Sequence, residues 1–526
     1  MLTPREYQQK IFETAVKKNT LVVLPTGLGK TLIALLLAKE RLNKFPNSKI
    51  VFLAPTRPLV EQHFSYFTKN LEKEEDEKAK EKWNTHIFTG KIMPKKRKEI
   101  WKDANLIFST PQCIENDLQN GLIDLSNVSL LIEDECHRCL KSYSYVYVAK
   151  EYLQQSKNAR LLGLTASPNT DLALIKQICE NLGIEAVEIR TRESEDVKQY
   201  LQKLTKNIYY VDLLPEMQAV ATLLHSLYEK KIEELKNRKL LFSRTTKIML
   251  LELQARLRVA LSTGQNDFNV LRGISVCAQA IKIGHAVDLI QTQGIIQTIT
   301  YLQDMIEQDR QGKSKAVKQI VGSREFQDSF IILTKLIQEG KEHPKFEKLV
   351  EVIDEQIINK KNARIIIFAQ YRDTVTKIRE ILEKKNLSSA IFVGQAKKKG
   401  SGLNQKEQQE IIENFKKGKL NALISTSIGE EGLDIPEVDL VIFYEPIPSA
   451  IRKIQRTGRT ARLNEGEVVF LITKGTRDET YYWAAHNKEK KMYSSLEKIK
   501  EGLDGKQKES KFKETKEVKQ KGLSEF

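Results

Sequence analysis

The sequence predicts an α/β protein with two doubly wound parallel-sheet domains and an all-helical domain between them. Short apolar runs alternate with helical patterns from residue 20 to 190, and the same rhythm returns from residue 364 to 472. Strands that alternate with helices in this way form parallel sheets. Between the two regions no proline occurs from Glu216 through His343, and apolar residues recur there at helical spacing.

Ten apolar runs are the candidate strands of the two sheets. In the first region these runs are residues 20–24, 49–54, 106–109, 130–133 and 161–165. In the second region they are residues 364–369, 389–393, 422–425, 440–444 and 467–472. Continuous apolar runs of this length are typical of strands that are buried on both faces of a parallel sheet. We therefore expect helices on both faces of each sheet.

The length of 526 residues predicts about three domains. We place a first sheet domain at residues 1–210, a helical domain at 211–342 and a second sheet domain at 343–495. Residues 496–526 are rich in lysine and poor in apolar side chains, so we expect a basic, disordered tail there. Residues 310–324 form a basic connector inside the helical domain, and we expect this connector to be disordered without a ligand.

The composition favours a polyanionic partner. The chain carries 86 Lys and Arg residues against 69 Asp and Glu residues, which gives a net charge of +17. A basic surface of this kind attracts nucleic acid. A lysine-rich composition also arises across whole proteomes, so the charge alone leaves the partner open.

The location expected from the sequence is the cytoplasm. Pro4, Arg5 and Glu6 lie where a signal peptide needs an apolar core, and no apolar run reaches the ~20 residues that span a bilayer. Five cysteines, an odd and sparse number, agree with a reducing compartment. Cys136 and Cys139 have the spacing of a zinc-binding pair, but no second pair accompanies them, so we expect no metal there.

A phosphate-loop pattern lies between an apolar run and a predicted apolar helix. Its residues are Thr26, Gly27, Gly29, Lys30 and Thr31. Glycines let backbone N–H groups approach phosphates, and the helix N-terminus adds a partial positive charge. In such a loop Lys30 contacts the β- and γ-phosphates, and Thr31 ligates Mg²⁺. The loop therefore predicts a nucleotide and Mg²⁺ as cofactors.

An acidic pair follows the apolar run at residues 130–132. Carboxylates at this position lie at the carboxyl end of a parallel strand, where ligands bind in such sheets. Asp134 is the expected Mg²⁺ ligand, and Glu135 is expected to orient or deprotonate the attacking water. An acidic pair alone is usually a solvated turn, but the phosphate loop upstream favours the catalytic interpretation.

Two arginines near the other end of the chain complete a divided nucleotide site. Arg459 and Arg462 are three residues apart, close enough to reach one transferring phosphoryl group together. Because the phosphate loop and the arginines lie at opposite ends of the chain, a site built from both can open and close. This property is typical of a motor protein rather than of a metabolic kinase.

With its motifs in this order, the chain resembles superfamily 2 helicases over nearly its whole length. The resemblance implies two RecA-like domains and ATP, with Mg²⁺, as the nucleotide. It implies that Gln8 reads the adenine edge and that Gly432 and Asp434 border the nucleotide. It also implies that Gln455 joins Arg459 and Arg462 in a cage around the γ-phosphate.

The same resemblance implies contacts with nucleic acid. Thr56 and Arg57 follow one predicted strand, and Thr110 and Gln112 follow another. In superfamily 2 helicases these loops grip the phosphate backbone of one strand, and Thr426 in the second sheet domain meets a further phosphate. Contacts of this kind carry no base information, which suits a motor that moves along a strand.

Thr165 and Ser167 resemble the residues that couple ATP hydrolysis to strand movement. They stand in a Thr-Ala-Ser-Pro sequence directly after the apolar run at residues 161–164. The resemblance implies that a change at the phosphate loop reaches the bound strand through them.

Three stretches narrow the resemblance to archaeal Hef and its eukaryotic relative, the Fanconi anaemia M translocase. They are residues 110–118, 392–396 and 428–439. The resemblance implies action on forks and junctions in DNA repair and recombination, with the helical domain as a branched-DNA reader, in an archaeal cell with the protein near the nucleoid. No XPF-like nuclease pattern follows the last motif, so either the natural protein is a helicase alone or the sequence is a truncated form.

Two other functions stay open. One is an RNA-directed ATPase of the Dicer-like or innate-immune type, because helical insertions also occur in those enzymes. The other is a non-catalytic scaffold tethered to a sliding clamp. Gln520, Leu523 and Phe526 resemble the peptides that dock on sliding clamps, so a clamp is an expected partner beside forked or branched DNA.

Overall fold

The structure of the protein is a computed structural model. The structure describes residues 3–71, 83–242, 245–264, 267–394, 403–426, 435–461 and 464–521, with the backbone alone from residue 504 onward.

The first domain is built on a seven-stranded parallel sheet with the strand order β3-β4-β2-β5-β6-β1-β7. Its strands are β1 (Thr20–Val23), β2 (Lys49–Leu53), β3 (Thr85–Phe88), β4 (Leu106–Ser109), β5 (Val128–Asp134), β6 (Leu161–Thr165) and β7 (Ala186–Ile189). Its helices are α1 (Glu6–Lys17), α2 (Lys30–Lys44), α3 (Arg57–Leu71), α4 (Pro94–Asp103), α5 (Pro111–Gln119), α6 (Ser144–Gln155), α7 (Leu172–Asn181) and α8 (Glu195–Lys198).

Helices cover both faces of this sheet. Side chains alternate along each strand, so Leu131 faces one core and Ile132 faces the other. All seven residues of β5 are buried as a result. The carboxyl ends of the strands share one edge, and that edge carries the loops that the sequence predicts to bind ligands.

The helical domain is a bundle of six helices within the described residues. They are α9 (Pro215–Asn237), α10 (Lys247–Ser262), α11 (Phe268–Thr292), α12 (Ile295–Arg310), α13 (Lys315–Val321) and α14 (Arg324–Gln338). Among the described residues α11 is the one helix that is long and apolar enough to cross a membrane, and 56% of its apolar window is buried inside the protein. It packs between α9 and α10 as the central helix of the bundle.

The basic connector at residues 310–324 is ordered, contrary to the sequence-based expectation. Its middle part is α13, which buries Ala316, Val317 and Ile320 against the bundle. These apolar residues share one face of a short helix, while the intervening lysines point outward. The lysine-rich composition of the connector does not reveal this apolar face, so the helix was not predicted.

The second sheet domain has six parallel strands in the order β10-β11-β9-β12-β13-β8. The strands are β8 (Leu204–Val211), β9 (Ile365–Phe368), β10 (Ser389–Phe392), β11 (Ala422–Ser425), β12 (Leu440–Phe443) and β13 (Gly466–Thr473). The helices of this domain are α15 (Pro344–Asn359), α16 (Arg372–Lys384), α17 (Gln405–Lys416), α18 (Ala450–Thr457) and α19 (Arg477–Lys521).

All ten apolar runs form strands, and three further strands were not predicted. The unpredicted strands β3, β7 and β8 lie at sheet edges, where a strand needs fewer apolar residues. The strand β8 pairs with β13 from Leu204–Gly466 to Val211–Thr473, so it belongs to the second sheet. The boundary predicted at residue 210 therefore falls too late in the chain.

The helix α19 joins the two sheet domains. Near its start, Tyr482 packs against Phe470 of the second domain. Further along, Met492, Leu496 and Ile499 are buried in a core of the first domain. The tail predicted to begin at residue 496 is therefore an ordered, packed helix at that point, because these apolar residues form one stripe on an otherwise polar helix.

Candidate nucleotide and nucleic-acid site

The phosphate loop lies between β1 and α2, as the sequence predicts. Gly27 and Gly29 have φ angles of 86° and 81°, in the left-handed region that favours glycine. A Cβ atom on Gly29 would lie 2.2 Å from Nε2 of Gln8, so a side chain at this position would displace the Gln8 amide. Gly29 precedes the first turn of α2, whose N-terminus presents Lys30 and Thr31 to the loop.

Gln8 lies beside the phosphate loop and is only 4% exposed. Its Nε2 donates to the carbonyl oxygen of Leu28 at 3.1 Å, and its Oε1 accepts from the backbone N–H of Arg5 at 2.9 Å. The hydroxyl of Tyr7 donates to the same Leu28 carbonyl at 2.8 Å. The start of α1 is thereby attached to the loop, and recognition of adenine by Gln8 stays a prediction.

Lys30 and Asp134 belong to one electrostatic environment. Lys30 Nζ donates to the carbonyl oxygen of Leu24 at 2.8 Å, which folds its side chain back over the loop. Burial raises the pKa of Asp134, but the hydrogen bond from His63 and the positive charge of Lys30 outweigh burial and lower the pKa below its ordinary value. Asp134 is therefore ionised at neutral pH, as a Mg²⁺ ligand must be.

Asp134 is held at both its backbone and its side chain. The carbonyl oxygen of Asp134 accepts from the hydroxyl of Tyr145 at 2.6 Å. Its Oδ2 lies 2.8 Å from Nε2 of His63, a residue of α3. Sequence reasoning missed both partners. The one signal for His63 was its place on the apolar face of α3 between Val60 and Phe67, and such a position usually indicates a core residue.

Glu135, Thr165 and Ser167 meet through His137. Glu135 has a φ of 52°, which turns the chain sharply after β5. His137 Nδ1 lies 3.3 Å from Glu135 Oε2 and 3.3 Å from Thr165 Oγ1. Thr165 Oγ1 also accepts from the backbone N–H of Ser167 at 3.1 Å. The predicted catalytic carboxylate and the predicted coupling residues therefore lie in one connected cluster.

The residues of this edge fit a magnesium ion that a nucleotide brings with it. Mg²⁺ prefers oxygen donors and is usually held by one or two protein groups together with phosphates and water. Thr31 and Asp134 offer a hydroxyl and an ionised carboxylate beside the phosphate loop. In the part of the chain that the structure describes, no group of three or more His, Cys, Asp or Glu side chains is arranged to hold a metal by itself.

The second sheet domain meets the phosphate loop through the end of α18. A Cβ atom on Gly458 would lie 2.9 Å from both Cβ and Oγ1 of Thr26. Gln455 and Arg459 flank this contact and are 4% and 8% exposed. The two domains thus bring Thr26, Gln455 and Arg459 to one boundary.

Three predicted site residues, Gly432, Asp434 and Arg462, lie outside the described residues. Their roles at the nucleotide stay predictions.

The nucleic-acid loops follow β2 and β4, which are neighbours in the first sheet. Thr56 precedes α3, and its buried Oγ1 has no hydrogen-bond partner within the described part of the chain. Arg57 pairs with Glu61 at 2.7 Å. Thr110 is the N-cap residue of α5, and Gln112 lies in the first turn of that helix. The two loops therefore share one edge of the sheet, and Thr56 offers a hydroxyl for a further acceptor such as a phosphate.

Thr426 directly follows β11 in the second sheet domain, and its carbonyl oxygen accepts from the Ser425 hydroxyl at 3.1 Å. It stands at the carboxyl edge of that sheet. A nucleic-acid contact by Thr426 stays a prediction.

Three family models match successive parts of the chain. A DEAD/DEAH box helicase model matches residues 5–175, and a helicase conserved C-terminal domain model matches residues 344–464. Between them, residues 216–341 match a helical-bundle model that is named for ATP-dependent RNA helicases. The three matches follow the two sheet domains and the helical domain of the structure.

The chain is also similar to individual helicases. A protein of Methanocaldococcus jannaschii that is named as an ATP-dependent RNA helicase is 41% identical over 95% of this chain and 61% of its own length. The ATP-dependent DNA helicase fml1 of Schizosaccharomyces pombe is 34% identical over 90% of this chain and 57% of its own length. The Fanconi anemia group M protein homolog of Mus musculus is 32% identical over 94% of this chain and 26% of its own length.

The chain spans between about a quarter and three fifths of the length of these three relatives. It covers almost all of one solved structure, the crystal structure of the Hef helicase domain of Pyrococcus furiosus. That domain is 40% identical, with a TM-score of 0.72, and the match covers 98% of it and 91% of this chain. The chain therefore belongs to the family of superfamily 2 helicases that contains Hef and the Fanconi anemia group M protein.

Proposed function

We propose that the chain is an ATP-dependent DNA helicase or translocase that acts on forks and junctions. The observation that carries this proposal is the contact between Thr26 of the phosphate loop and Gly458 of α18. This contact supports a role for Gln455 and Arg459 of one sheet domain at the phosphate loop of the other. A nucleotide bound there touches both domains, so its hydrolysis changes how they sit against each other.

In this function each residue of the site has a chemical task. Lys30 and the loop N–H groups bind the β- and γ-phosphates, and Thr31 and Asp134 hold Mg²⁺. When bound, Mg²⁺ would supply positive charge that offsets the negative charge developing on the phosphates. Glu135 orients the attacking water and accepts its proton, while Arg459 stabilises negative charge on the γ-phosphate from across the domain boundary.

Coupling of hydrolysis to movement follows from the cluster around His137. This side chain lies between Glu135, the proposed base for the attacking water, and Thr165. A movement of Glu135 is transmitted to Thr165 and Ser167. The three residues are connected through His137 within hydrogen-bond distances. These contacts support the proposed coupling role of Thr165 and Ser167.

DNA as the substrate is supported by relatives that are named as ATP-dependent DNA helicases, fml1 of Schizosaccharomyces pombe and mph1 of Neurospora crassa. The first sheet domain contacts the phosphates of one DNA strand through Thr56, Arg57, Thr110 and Gln112. The second sheet domain contacts phosphates of the same strand through Thr426. The helical domain supplies the additional surface that a branched substrate needs. Lys313, Lys315 and Lys318 are exposed on or beside α13 and give part of this surface a positive charge.

RNA is the second candidate substrate. It is favoured by the name of the M. jannaschii relative and by that of the helical-bundle family model. The test is a measurement of ATP hydrolysis with single strands, duplex DNA, forked DNA, a four-way junction and duplex RNA at one salt concentration, because affinity for nucleic acid depends strongly on salt. We expect the largest stimulation from forked DNA or the junction. Greater stimulation by duplex RNA would exclude the DNA proposal.

We also propose that the C-terminal segment docks on a sliding clamp. Gln520 lies in the part of α19 whose backbone alone is described, and Leu523 and Phe526 lie outside the described residues. Deletion of residues 523–526 should abolish binding to a clamp in a calorimetric titration. Equal affinity of the shortened and full chains would exclude this partner.

A further inference from the structure

His63 contacts the predicted Mg²⁺ ligand although it lies on a helix that begins at the nucleic-acid loop. The helix α3 starts at Arg57, directly after Thr56. His63 stands six residues after Arg57, about 9 Å farther along the helix axis. Its Nε2 lies 2.8 Å from Oδ2 of Asp134. One rigid helix therefore touches both the predicted strand-binding loop and the predicted metal carboxylate.

The ring of His63 is fixed in place by packing. It lies against Phe52 of β2, with ring centroids 4.4 Å apart and the rings inclined by 34°. Its neighbours on the same face of α3, Val60 and Phe67, are fully buried. The side chains of His63 and Asp134 are each only 8% exposed. The imidazole therefore has little freedom, and movement of α3 displaces Nε2.

Among the described residues, the polar contacts of His63 are with Asp134 alone. A carboxylate accepts hydrogen bonds and does not donate them, so Nε2 carries a proton and donates it to Oδ2. The other ring nitrogen, Nδ1, is buried without a hydrogen-bond partner in the described part of the chain. If His63 served only for packing, it would bury two ring nitrogens that need hydrogen-bond partners. An apolar side chain at this position would bury no polar atom. The contact with Asp134 gives this residue a specific task.

We propose that His63 is a positioning residue that fixes the Asp134 carboxylate for Mg²⁺ and links its orientation to the strand-binding loop at the start of α3. This inference rests on the proposed ATPase function and adds a path from the nucleic acid to the nucleotide. Tyr145 holds the backbone of Asp134 by a separate hydrogen bond, so His63 acts on the carboxylate rather than on the fold of the loop. The path runs through α3 and is separate from the cluster around His137.

Two substitutions separate the hydrogen bond from the packing. His63→Phe keeps a ring against Phe52 and removes the donor. His63→Gln keeps an N–H donor at a similar distance from the backbone and loses the ring. Thermal unfolding of both variants measures any loss of stability, so that a folding defect is recognised before the function is compared.

The direct readout is Mn²⁺ bound together with ADP, followed by electron paramagnetic resonance, because this signal does not depend on turnover. We expect His63→Phe to bind Mn²⁺ about tenfold more weakly than the parent, as is usual when the partner of a metal ligand is removed. ADP binding in the presence of EDTA should be unchanged. His63→Gln should retain most of the Mn²⁺ affinity.

The second readout is the ratio of ATP hydrolysis with and without forked DNA at saturating Mg²⁺. We expect this ratio to fall in His63→Phe and to be largely kept in His63→Gln. Parent-like Mn²⁺ affinity in His63→Phe, or an equal loss in both variants, would overturn the positioning role. An unchanged ratio would overturn the link to the strand-binding loop. Failure of the parent to hydrolyse ATP would instead contradict the proposed function, while the Mn²⁺ comparison still decides the role of His63.

Discussion

Gly458 of α18 lies directly against Thr26 of the phosphate loop, so close that a methyl group on Gly458 would lie 2.9 Å from the Thr26 side chain. The two residues are more than four hundred positions apart in the sequence. Their contact is the point at which the two halves of the candidate nucleotide site meet. In the proposed function, a change that separates them would also withdraw Arg459 from the phosphates.

Gly458→Ala should slow ATP hydrolysis while leaving each domain folded. The φ of Gly458 is −68°, which alanine adopts without strain, so the effect comes from the contact with Thr26. The nearest backbone atom, the carbonyl oxygen of Ile454, would lie 3.2 Å from the new methyl group. We expect at least a tenfold loss of kcat, since misplacement of catalytic groups by about 1 Å costs about that much or more. Steady-state ATPase assays measure this loss.

The matched control for that substitution is Gly90→Ala. A Cβ atom on Gly90 meets nothing within 4 Å, so this variant should hydrolyse ATP like the parent. Equal kcat values for Gly458→Ala, Gly90→Ala and the parent would show that the contact does not limit closure.

Glu135→Gln should bind ATP and DNA but fail to turn over. Glutamine keeps the shape and can still orient water, but it does not accept a proton at neutral pH. Loss of a general base typically costs 10²–10⁴-fold in rate, so we expect kcat to fall by about that factor. Nucleotide affinity, measured with a fluorescent ATP analogue, should stay close to that of the parent. Turnover within a few-fold of the parent would exclude Glu135 as the base.

Glu445→Gln should stabilise the second domain in a pH-dependent manner. Burial raises the pKa of Glu445 to about 7, although the charge of Lys345 and the N–H of Gln370 oppose the rise. An acid whose pKa is raised in the folded state costs no stability below its unfolded pKa. As pH rises from about 4.5 to about 7 the folded parent loses stability relative to the variant, and the difference is constant above pH 7.

This shift corresponds to about 3 kcal/mol at pH 8. Urea unfolding of the parent and of Glu445→Gln at pH 5 and pH 8 measures the difference directly. Glu413→Gln is the control, because Glu413 is 67% exposed at its side chain. A stability difference that is the same at both pH values would contradict the raised pKa of Glu445.

Replacement of Lys313, Lys315 and Lys318 by alanine should weaken the binding of forked DNA. Exposed lysines that contact phosphates release counterions, so their removal also flattens the dependence of affinity on salt. We expect the negative slope of log affinity against log salt to become smaller in magnitude, by as much as about 0.9 for each phosphate that the variant no longer neutralises. Fluorescence anisotropy across a salt series measures the slope. An unchanged slope would show that these three lysines do not contact phosphates of the DNA and only face solvent.

The sequence predicted those parts of the fold that rest on continuous apolar runs. The strand β5 carries the apolar run at residues 130–132 because both of its faces are buried. The strand β8 escaped prediction because it lies at a sheet edge and exposes Thr205, Lys206 and Tyr210. The helix α19 escaped because a single apolar stripe among many charged residues resembles a solvated tail until the surface that it covers is known.

Local motifs in the sequence point to part of the candidate site. Lys30, Thr31 and Asp134 could be proposed as site residues because their chemistry depends on neighbours in the sequence. His63 was not found, because its importance depends on Asp134, seventy-one positions away. Likewise, nothing local to Gly458 indicates that Thr26 lies against it, since that contact exists only after two domains have folded and met.

ATP bound between the two sheet domains is proposed to drive the movement of branched DNA. The most direct measurement is the release of a labelled strand from a forked duplex or a four-way junction by the parent chain with ATP and Mg²⁺. The proposal predicts release that requires ATP and that is abolished in Glu135→Gln. Release that proceeds equally without ATP or in Glu135→Gln, or no release under conditions where forked DNA stimulates hydrolysis, would contradict it.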